Sequence, residues 1–174
     1  MERTKFSEMA CPVARSLERV GEWWTILILR DVFDGFSRFD ELQRNLGISP
    51  SMLARRLKAM VDAGLLTKRR YSEHPPRDEY VLTDRGIALW PTLLSLGRWG
   101  RERLGEVRLR YFRHATCGTE IGSYGECAVC GTVVPVPDVE MVPGPGLDPD
   151  PADPVSRVLL RPRRLLEPID IGHA

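Results

Sequence analysis

Apolar residues recur at helical spacing in two neighbouring segments near the start of the chain. In the first segment, Val13, Leu17 and Val20 lie on one side of a helix predicted over residues 11–20. In the second segment, residues 22–33, apolar side chains occupy most positions. Because a helix that is apolar on most sides must be covered by its neighbours, we predict a buried central helix there.

A short helix follows, and a tight connector separates it from the next one. Phe39, Leu42 and Leu46 form its apolar side, Ser37 is a candidate cap at its start, and Gly47 ends the pattern. This spacing predicts the first helix of a helix-turn-helix.

The second helix of the pair is predicted over residues 50–63. Ser49 is a favourable N-cap and Pro50 a favourable first helical residue. Gly64 stands at the C-terminal end. The inward-facing side of this helix is predicted to consist of Leu53, Leu57, Met60 and Val61.

A β-hairpin is predicted directly after this pair of helices. Residues 65–71 and 79–83 have the composition of strands, and the intervening residues 72–78 contain two prolines, which disfavour strand pairing. A helix-turn-helix followed by a hairpin is typical of a winged helix-turn-helix. The expected fold class is therefore mainly α with a small β-hairpin wing, plus a C-terminal extension that resembles a zinc knuckle or ribbon.

A long helix is then predicted over residues 85–113, with a kink at Pro91. It carries more aromatic and aliphatic residues than one small domain needs, among them Trp90 and Trp99. Burial within its own domain is one interpretation. The other, which we favour, is a homodimer interface formed with the N-terminal helix.

The character of the sequence changes after His114, where Gly, Pro, Val and Cys dominate. The predicted organisation is an N-terminal arm, a winged helix-turn-helix DNA-binding and dimerisation domain, a small Cys/His zinc-binding module, and a Pro-rich linker and tail. These cover residues 1–9, 10–113, 114–146 and 147–174, respectively. The segment 143–151 is predicted to lack regular structure. The tail after it either docks on the body or stays mobile.

The charge of the chain is unevenly distributed, although its net value is +1. Between Ser49 and Arg77 there are seven lysines and arginines but two acids. One basic face on a nearly neutral protein fits an anionic partner met on one side. No apolar run is long enough to cross a bilayer and the N-terminus does not resemble a secretory signal, so we expect a cytoplasmic protein with no membrane partner.

Three cysteines and a histidine are closely spaced after the long helix. His114 and Cys117 are separated by two residues, as are Cys127 and Cys130. Three thiolates and one imidazole complete the tetrahedral coordination of Zn²⁺, which predicts a structural zinc site with no open position for catalysis. The alternative is three buried cysteines and a surface histidine.

Residues 11 to about 104 resemble the HxlR family of winged-helix regulators. The motifs that carry this resemblance are CPV at 11–13, EWWTILILRD at 22–31, RFDEL at 38–42, ISPSMLARRL at 48–57, DAGLL at 62–66, PRDEYVLT at 76–83 and Gly86. The resemblance implies a regulator of transcription that binds double-stranded DNA, usually as a dimer, and often controls neighbouring genes. An enzyme is disfavoured, since no nucleophile–base–acid set is present and His74 and His173 lie in a loop and in the tail.

The predicted DNA contacts lie on the second helix of the pair and on the wing. In a winged helix-turn-helix the recognition helix, here 50–63, enters the major groove, and the wing, here 68–82, lies on the backbone or minor groove. Bases or phosphates are expected to be met by Ser49, Ser51, Met52 and Arg55, and the DNA backbone by Arg56, Lys58, Arg69 and Arg77. We expect palindromic operator DNA because the predicted protein is a dimer.

Cys11 stands before Pro12, at the predicted start of the first helix. A helix N-terminus favours the thiolate, and in some members of the resembled family a cysteine at this place senses oxidants or electrophiles. A redox-sensing regulator switched through Cys11 is therefore one alternative function, and a capping cysteine without a sensing role is the other interpretation of this residue. A zinc-containing protein-interaction module is a further alternative. A small-molecule effector is also possible, in a cavity between the dimer helices lined by Trp90 or Trp99.

Overall fold

The computed structural model describes residues 6–105, 107, 109–152 and 154–169. The helices are α1 Pro12–Val20, α2 Trp23–Phe33, α3 Phe39–Leu46, α4 Pro50–Asp62, α5 Asp84–Ile87, α6 Trp90–Leu104 and α7 Pro154–Val158. The strands are β1 Leu66–Glu73, β2 Pro76–Leu82, β3 Arg110–His114, β4 Glu126–Cys127, β5 Thr132–Val133, β6 Val139–Pro143 and β7 Arg163–Arg164. None of the helices within this described part of the chain is long and apolar enough to cross a membrane. Part of the predicted N-terminal arm, residues 1–5, and the end of the tail, residues 170–174 with His173, lie outside the described residues.

Helix α2 lies at the centre of the winged-helix core, as the sequence predicts. Ile28 and Leu29 on α2 are fully buried, and so are Leu42 on α3 and Leu53 and Leu57 on α4. These three helices therefore share one apolar core, and burial of each such side chain stabilises the fold by about 1.5–3 kcal/mol.

The turn between α3 and α4 has the predicted local geometry. Gly47 adopts a left-handed conformation with φ of 61°, which favours glycine because a Cβ is strained there. Ile48 is buried, and Ser49 caps α4 by accepting a hydrogen bond from the Met52 N–H at 3.4 Å. Pro50 then begins the helix. The helix-turn-helix is thus encoded locally.

The cap at the start of α3 differs from the prediction, which assigned it to Ser37. Arg38 occupies the N-cap position. The Glu41 carboxylate accepts hydrogen bonds from the N–H groups of Ser37 and Arg38, at 3.1 and 2.9 Å. The Ser37 hydroxyl instead donates to Glu79 on β2 at 2.9 Å, so this side chain joins α3 to the hairpin.

The hairpin is longer than the sequence predicts, and its turn is shorter. Strands β1 and β2 pair antiparallel as far as Glu73 opposite Pro76, so the turn does not extend over residues 72–78. A proline is compatible with this position because each strand of a two-stranded sheet has one edge free of pairing. Arg77 therefore lies opposite Ser72, beside the tip and not at it.

The prediction of a single long helix over residues 85–113 is wrong. Helix α5 ends at Ile87 and α6 begins at Trp90, because Pro91 would remove a hydrogen bond and clash with the carbonyl four residues earlier in a continuous helix. Helix α6 ends at Gly105, which is left-handed with φ of 70°. The chain then enters strand β3; residues 106 and 108 lie outside the described part.

The C-terminal half is built around a three-stranded sheet of order β3-β6-β7. Pro143 pairs with Arg110 in this sheet, so the segment predicted to lack regular structure begins after it. The strands β4 and β5 form a separate short hairpin. Val139, Met141 and Leu165 are buried in this half and belong to the same hydrophobic cluster as the helical core.

The tail docks on the body as far as Ile169, which decides between the two alternatives for this segment. The Leu166 N–H donates to the Phe33 carbonyl at 2.8 Å, and the Ile169 N–H donates to the Gly35 carbonyl at 3.1 Å. Ile169 is itself buried. The tail therefore caps the C-terminal end of α2, immediately before the helix-turn-helix.

Candidate nucleic-acid interface and metal cluster

The outer face of α4 is polar and partly cationic. Ser51, Arg55 and Lys58 are all exposed and follow one another at helical spacing, while Leu53 and Leu57 point into the core. Arg55 donates to the Met52 sulfur at 3.0 Å, and none of the described residues forms an ion pair with it. Lys58 pairs with Asp62 at 2.7 Å on the exposed surface, where such a contact contributes little. Both cations are thus available to an anionic partner.

Arg56 does not share this outer face. Its side chain is 18% exposed and forms an ion pair with Glu22, the N-cap residue of α2, at 2.9 Å. The sequence predicts Arg56 as a contact to the DNA backbone, but in the structure its charge is directed to the body of the protein. Its role here is to join α4 to α2.

The cations of the hairpin divide into paired and unpaired groups. The pairs across the two strands are Arg69 with Glu79 and Arg70 with Asp78, each at 2.6 Å. Lys68 and Arg77 are exposed and form no ion pair within the described part of the chain, although Lys68 lies over the Tyr80 ring. The unpaired positive charge of the wing is therefore at Lys68, within β1, and at Arg77, near the turn.

The four residues predicted to bind metal come together. His114 ends β3, Cys117 follows it in a turn, Cys127 ends β4, and Cys130 lies in the next turn. The ligand atoms all lie within 4.8 Å of one another. The Cys117 Sγ is 3.5 Å from the His114 Nδ1 and 3.5 Å from the Cys127 Sγ. A tetrahedron around Zn²⁺ with bonds of about 2.3 Å has edges of roughly 3.8 Å, so the four residues fit such an ion.

Two similar turns hold these ligands. The Gly118 N–H donates to the His114 carbonyl at 2.8 Å, and the Gly131 N–H donates to the Cys127 carbonyl at 2.9 Å. Both glycines are left-handed, with φ of 70° and 66°. The turns bring the second ligand of each pair back toward the first. The cluster is therefore formed by local backbone geometry on two short segments.

The three thiols of the cluster differ in acidity. The hydroxyl and backbone amide of Thr119 hydrogen-bond to Cys117 and lower the pKa of its thiol to about 6. Contacts with Cys117 and Cys127 raise the pKa of the Cys130 thiol to about 11. Three thiols in so small a volume compete for ionisation.

Cys11 lies apart from this cluster, at the N-cap of α1. It is half-buried, and its side chain makes no capping hydrogen bond to the helix. The structure thus places it at the helix start, as the sequence predicts.

Two helices expose apolar side chains that a single chain leaves uncovered. Helix α1 buries none of its residues. On α6, Leu96 and Trp99 lie on one face together with the exposed Thr92 and Arg103. The exposed apolar residues are Val13 and Leu17 on α1, which are 66% and 51% exposed, Trp23 at the start of α2, which is 75% exposed, and Leu96 and Trp99 on α6, which are 50% and 55% exposed. Such a concentration of apolar surface is typical of an interaction site.

The structure contains a buried ionic group that the sequence does not predict. Asp34, which follows α2, is almost fully buried and forms ion pairs with Arg110 on β3 and with Arg163 on β7. Burial lowers the pKa of Arg163, whose guanidinium also lies 5.9 Å from the centre of the Phe36 ring. Because these residues are distant in sequence and have no common motif, only the folded chain reveals the group.

Comparisons with known proteins agree with this architecture. Residues 19–108 match the family described as HxlR-like helix-turn-helix. An uncharacterised HTH-type transcriptional regulator of Mycobacterium bovis, Mb3122, is 42% identical over 139 residues, which cover 77% of this chain and 86% of that protein. Rv3095 of Mycobacterium tuberculosis, also an uncharacterised HTH-type transcriptional regulator, matches equally. A match of this length must extend beyond residue 113 into the C-terminal half.

Two solved structures are similar as well. PA1607, a candidate transcription factor, has a TM-score of 0.62 and 34% identity, and the match covers 75% of this chain and 92% of that one. The redox regulator HypR in its reduced form has a TM-score of 0.51 and 30% identity, over 54% of this chain and 94% of that one. The chain therefore belongs to the HxlR-like helix-turn-helix family and is a transcriptional regulator of the helix-turn-helix type.

Proposed function

We propose that this regulator binds a palindromic operator as a homodimer, with α4 in the major groove and the β1–β2 hairpin on the backbone or in the minor groove. The observation that carries the proposal is the exposed face of Ser51, Arg55 and Lys58 on α4, held rigidly by the buried side of the same helix. Rigid presentation of a few polar side chains is what reading base edges requires.

The individual contacts follow from which side chains are at least partly exposed, whether or not they also form an ion pair within the subunit. Arg55 is proposed to read a guanine, and Met52 and Ser51 to contact neighbouring bases. The Ser49 and Ser51 hydroxyls lie at the N-terminus of α4, where phosphate is favoured. Lys58 and the wing residues Arg69 and Arg77 are proposed to bind the DNA backbone. A backbone contact by Arg56 is proposed to require that its ion pair with Glu22 opens first.

Dimerisation is proposed through the exposed apolar faces of α1 and α6. A dimer would cover Leu17, Trp23 and Trp99, whose exposure in a single chain is otherwise costly. Two copies of α4 related by a twofold axis would then meet two half-sites of a palindrome.

A structural Zn²⁺ is proposed at His114, Cys117, Cys127 and Cys130. The support is that one ligand atom from each of the four residues lies within 4.8 Å of the other three. Four protein ligands leave no position for a substrate, so the ion is proposed to hold the module together and not to catalyse a reaction. The predicted division into a winged-helix domain over 10–113, a metal module over 114–146 and a tail over 147–174 stays a prediction, and strand β3 spans the first of these boundaries.

The experiment that tests DNA binding is fluorescence anisotropy with duplex DNA from upstream of the protein's own gene and a scrambled duplex as control, across a salt series. The proposal expects sequence-selective binding that weakens steeply with salt, because bound cations release counterions from the DNA. No binding to either duplex by a zinc-loaded dimer would contradict self-regulation, and it would favour a distant operator or a protein partner of the zinc-containing module.

Replacing Arg55 with alanine is expected to weaken operator binding by about 5- to 150-fold, since a bidentate contact to guanine contributes about 1–3 kcal/mol of discrimination. Binding to the scrambled duplex should change little. Lys58→Ala is the matched comparison on the same helix: it should weaken both duplexes alike and reduce the salt dependence. Equal losses on both duplexes for Arg55→Ala would assign that residue to the backbone.

A second candidate function is a redox-sensing regulator switched through Cys11. It is favoured by the position of Cys11 at the start of α1, which is the helix proposed to meet the partner subunit, and by the similarity to the redox regulator HypR. Treatment with a thiol oxidant is then expected to release the operator from the wild-type dimer but not from Cys11→Ser, in the same anisotropy assay. Release from both proteins would place the sensitive thiol elsewhere.

A further inference from the structure

A cavity of about 600 Å³ lies between α2, α6, β3 and the loop that joins Cys117 to Cys127. This volume is within the range of about 300–1,000 Å³ that is typical of small-molecule sites. Trp90 lines the cavity and Trp99 does not. The cavity is lined by residues of a single subunit, whereas the sequence predicts an effector site between dimer helices.

The wall contributed by α6 changes from apolar to cationic along the helix. Trp90, Leu93 and Leu94 line the cavity near the N-terminal end, and Arg98 and Arg101 line it near the C-terminal end. The remaining apolar lining includes Ile26, Leu27, Phe112 and Ile121. An apolar floor with a charged group at one end is suited to an amphipathic molecule.

The charged groups of the cavity favour an anion. Four arginines line it, Arg30, Arg98, Arg101 and Arg110, and two acids, Asp34 and Glu120. Asp34 is engaged by Arg110, and Arg30 is engaged by Asp31 at 2.6 Å. Arg98 and Arg101 share the carboxylate of Glu102, at the long distances of 3.4 and 3.7 Å, and Glu102 is half exposed to solvent. Such long, partly exposed pairs, together with the hydrogen bond from Arg98 to the neutral Ser123 hydroxyl at 2.6 Å, leave the positive charge of the two arginines available to a ligand.

We propose that this cavity binds a small amphipathic anion, with its apolar body against Trp90 and Leu94 and its carboxylate between Arg98 and Arg101. Two guanidinium groups on one helix face are well placed for such a group because they can donate paired hydrogen bonds to its oxygens.

The cavity also touches the parts of the molecule that matter for regulation. The loop on its far side is held to α6 by hydrogen bonds from the Ser95 hydroxyl to the Ser123 carbonyl at 2.7 Å and from Arg98 to the Ser123 hydroxyl at 2.6 Å. A ligand would therefore contact the core helix α2, the proposed dimer helix α6 and the metal-binding loop together. A change in operator affinity on ligand binding rests on the proposed function, whereas ligand binding itself does not.

The test is isothermal titration calorimetry of the full-length, zinc-loaded protein with decanoate and, as its neutral counterpart, decanol. The expected result is saturable binding of decanoate that is about tenfold tighter than binding of decanol, as one charge-assisted contact provides. The double variant Arg98→Gln/Arg101→Gln should lose that preference, while Arg161→Gln, an exposed arginine of the tail, should keep it.

A cavity-filling variant tests whether the ligand binds in this cavity. A Cβ added at Gly97, which lines the cavity, meets no atom within 4 Å, so Gly97→Phe can extend into open space without displacing its neighbours. It is expected to abolish binding of both probes, with Gly97→Ala as the matched control that retains it. Unchanged decanoate binding in Gly97→Phe, no decanoate binding in the wild type, or equal affinity for decanoate and decanol would each overturn the proposal. Anisotropy with operator DNA, run separately on the same proteins, keeps failure of this site distinct from failure of DNA binding.

Discussion

Replacing Cys127 with serine is expected to empty the Cys/His cluster and to loosen residues 115–133, while the helix-turn-helix stays folded. Cys127 is the most buried of the three cysteines of the cluster, and a serine hydroxyl is a poor replacement for a thiolate ligand. A structural zinc ion contributes an apparent binding free energy of about 10–16 kcal/mol in short peptides. Few other interactions replace it here, since Ile121 is the other buried apolar residue described in this segment.

Metal analysis and hydrogen exchange measure this result. The zinc content should fall from one ion per chain to nearly none, and the Gly118 and Gly131 amides, which close the two ligand turns, should lose their protection. Amides of α2 and α4 should keep theirs because those helices pack against each other. Cys11→Ser, outside the cluster, is the matched control and should bind metal as the wild type does. A Cys127→Ser protein that keeps both its zinc and its exchange protection would contradict the assignment.

Turns and helix ends can be predicted from the sequence because they are determined by residues within a few positions of them. The turn of the helix-turn-helix needs a left-handed residue, a cap and a helix start, and Gly47, Ser49 and Pro50 supply them in order. The Cys/His cluster is similar, since two pairs of candidate ligands with two residues between their members each need one tight turn. Only the meeting of the two pairs depends on the rest of the fold.

The errors have their origin in contacts between distant residues. The stretch Arg110–His114 continues a helical pattern when considered alone, but it pairs with β6 because Phe112 and Met141 can then share one apolar side of the sheet. Likewise, the sequence does not indicate that Arg56, predicted to contact DNA, pairs with Glu22 on another helix. Nor could spacing indicate that Arg163 would reach Asp34. In each case the conformation or contact depends on a residue distant in sequence, and the local sequence pattern does not identify that residue.

Replacing Trp99 with glutamate is expected to convert the proposed homodimer into monomers. Trp99 is more than half exposed in the single chain, so the change should leave the subunit folded. At a dimer interface, however, it would bury an unpaired carboxylate, which costs several kcal/mol and weakens association by at least about a hundredfold. Operator binding should then fall by about a thousandfold or more, toward nonspecific affinity, because each monomer meets one half-site.

Two measurements distinguish loss of dimerisation from other causes of weaker operator binding. They are light scattering after size-exclusion chromatography, which gives the oligomeric state, and the anisotropy assay, which gives the operator affinity. Val133→Glu, an equally exposed apolar residue on β5, is the matched control and should stay dimeric and bind the operator normally. Leu17→Glu on α1 should reproduce the Trp99→Glu result, because both residues belong to the same proposed interface. Monomers for Trp99→Glu and dimers for Leu17→Glu would restrict the interface to α6, whereas dimers for both would show that this apolar surface serves another partner.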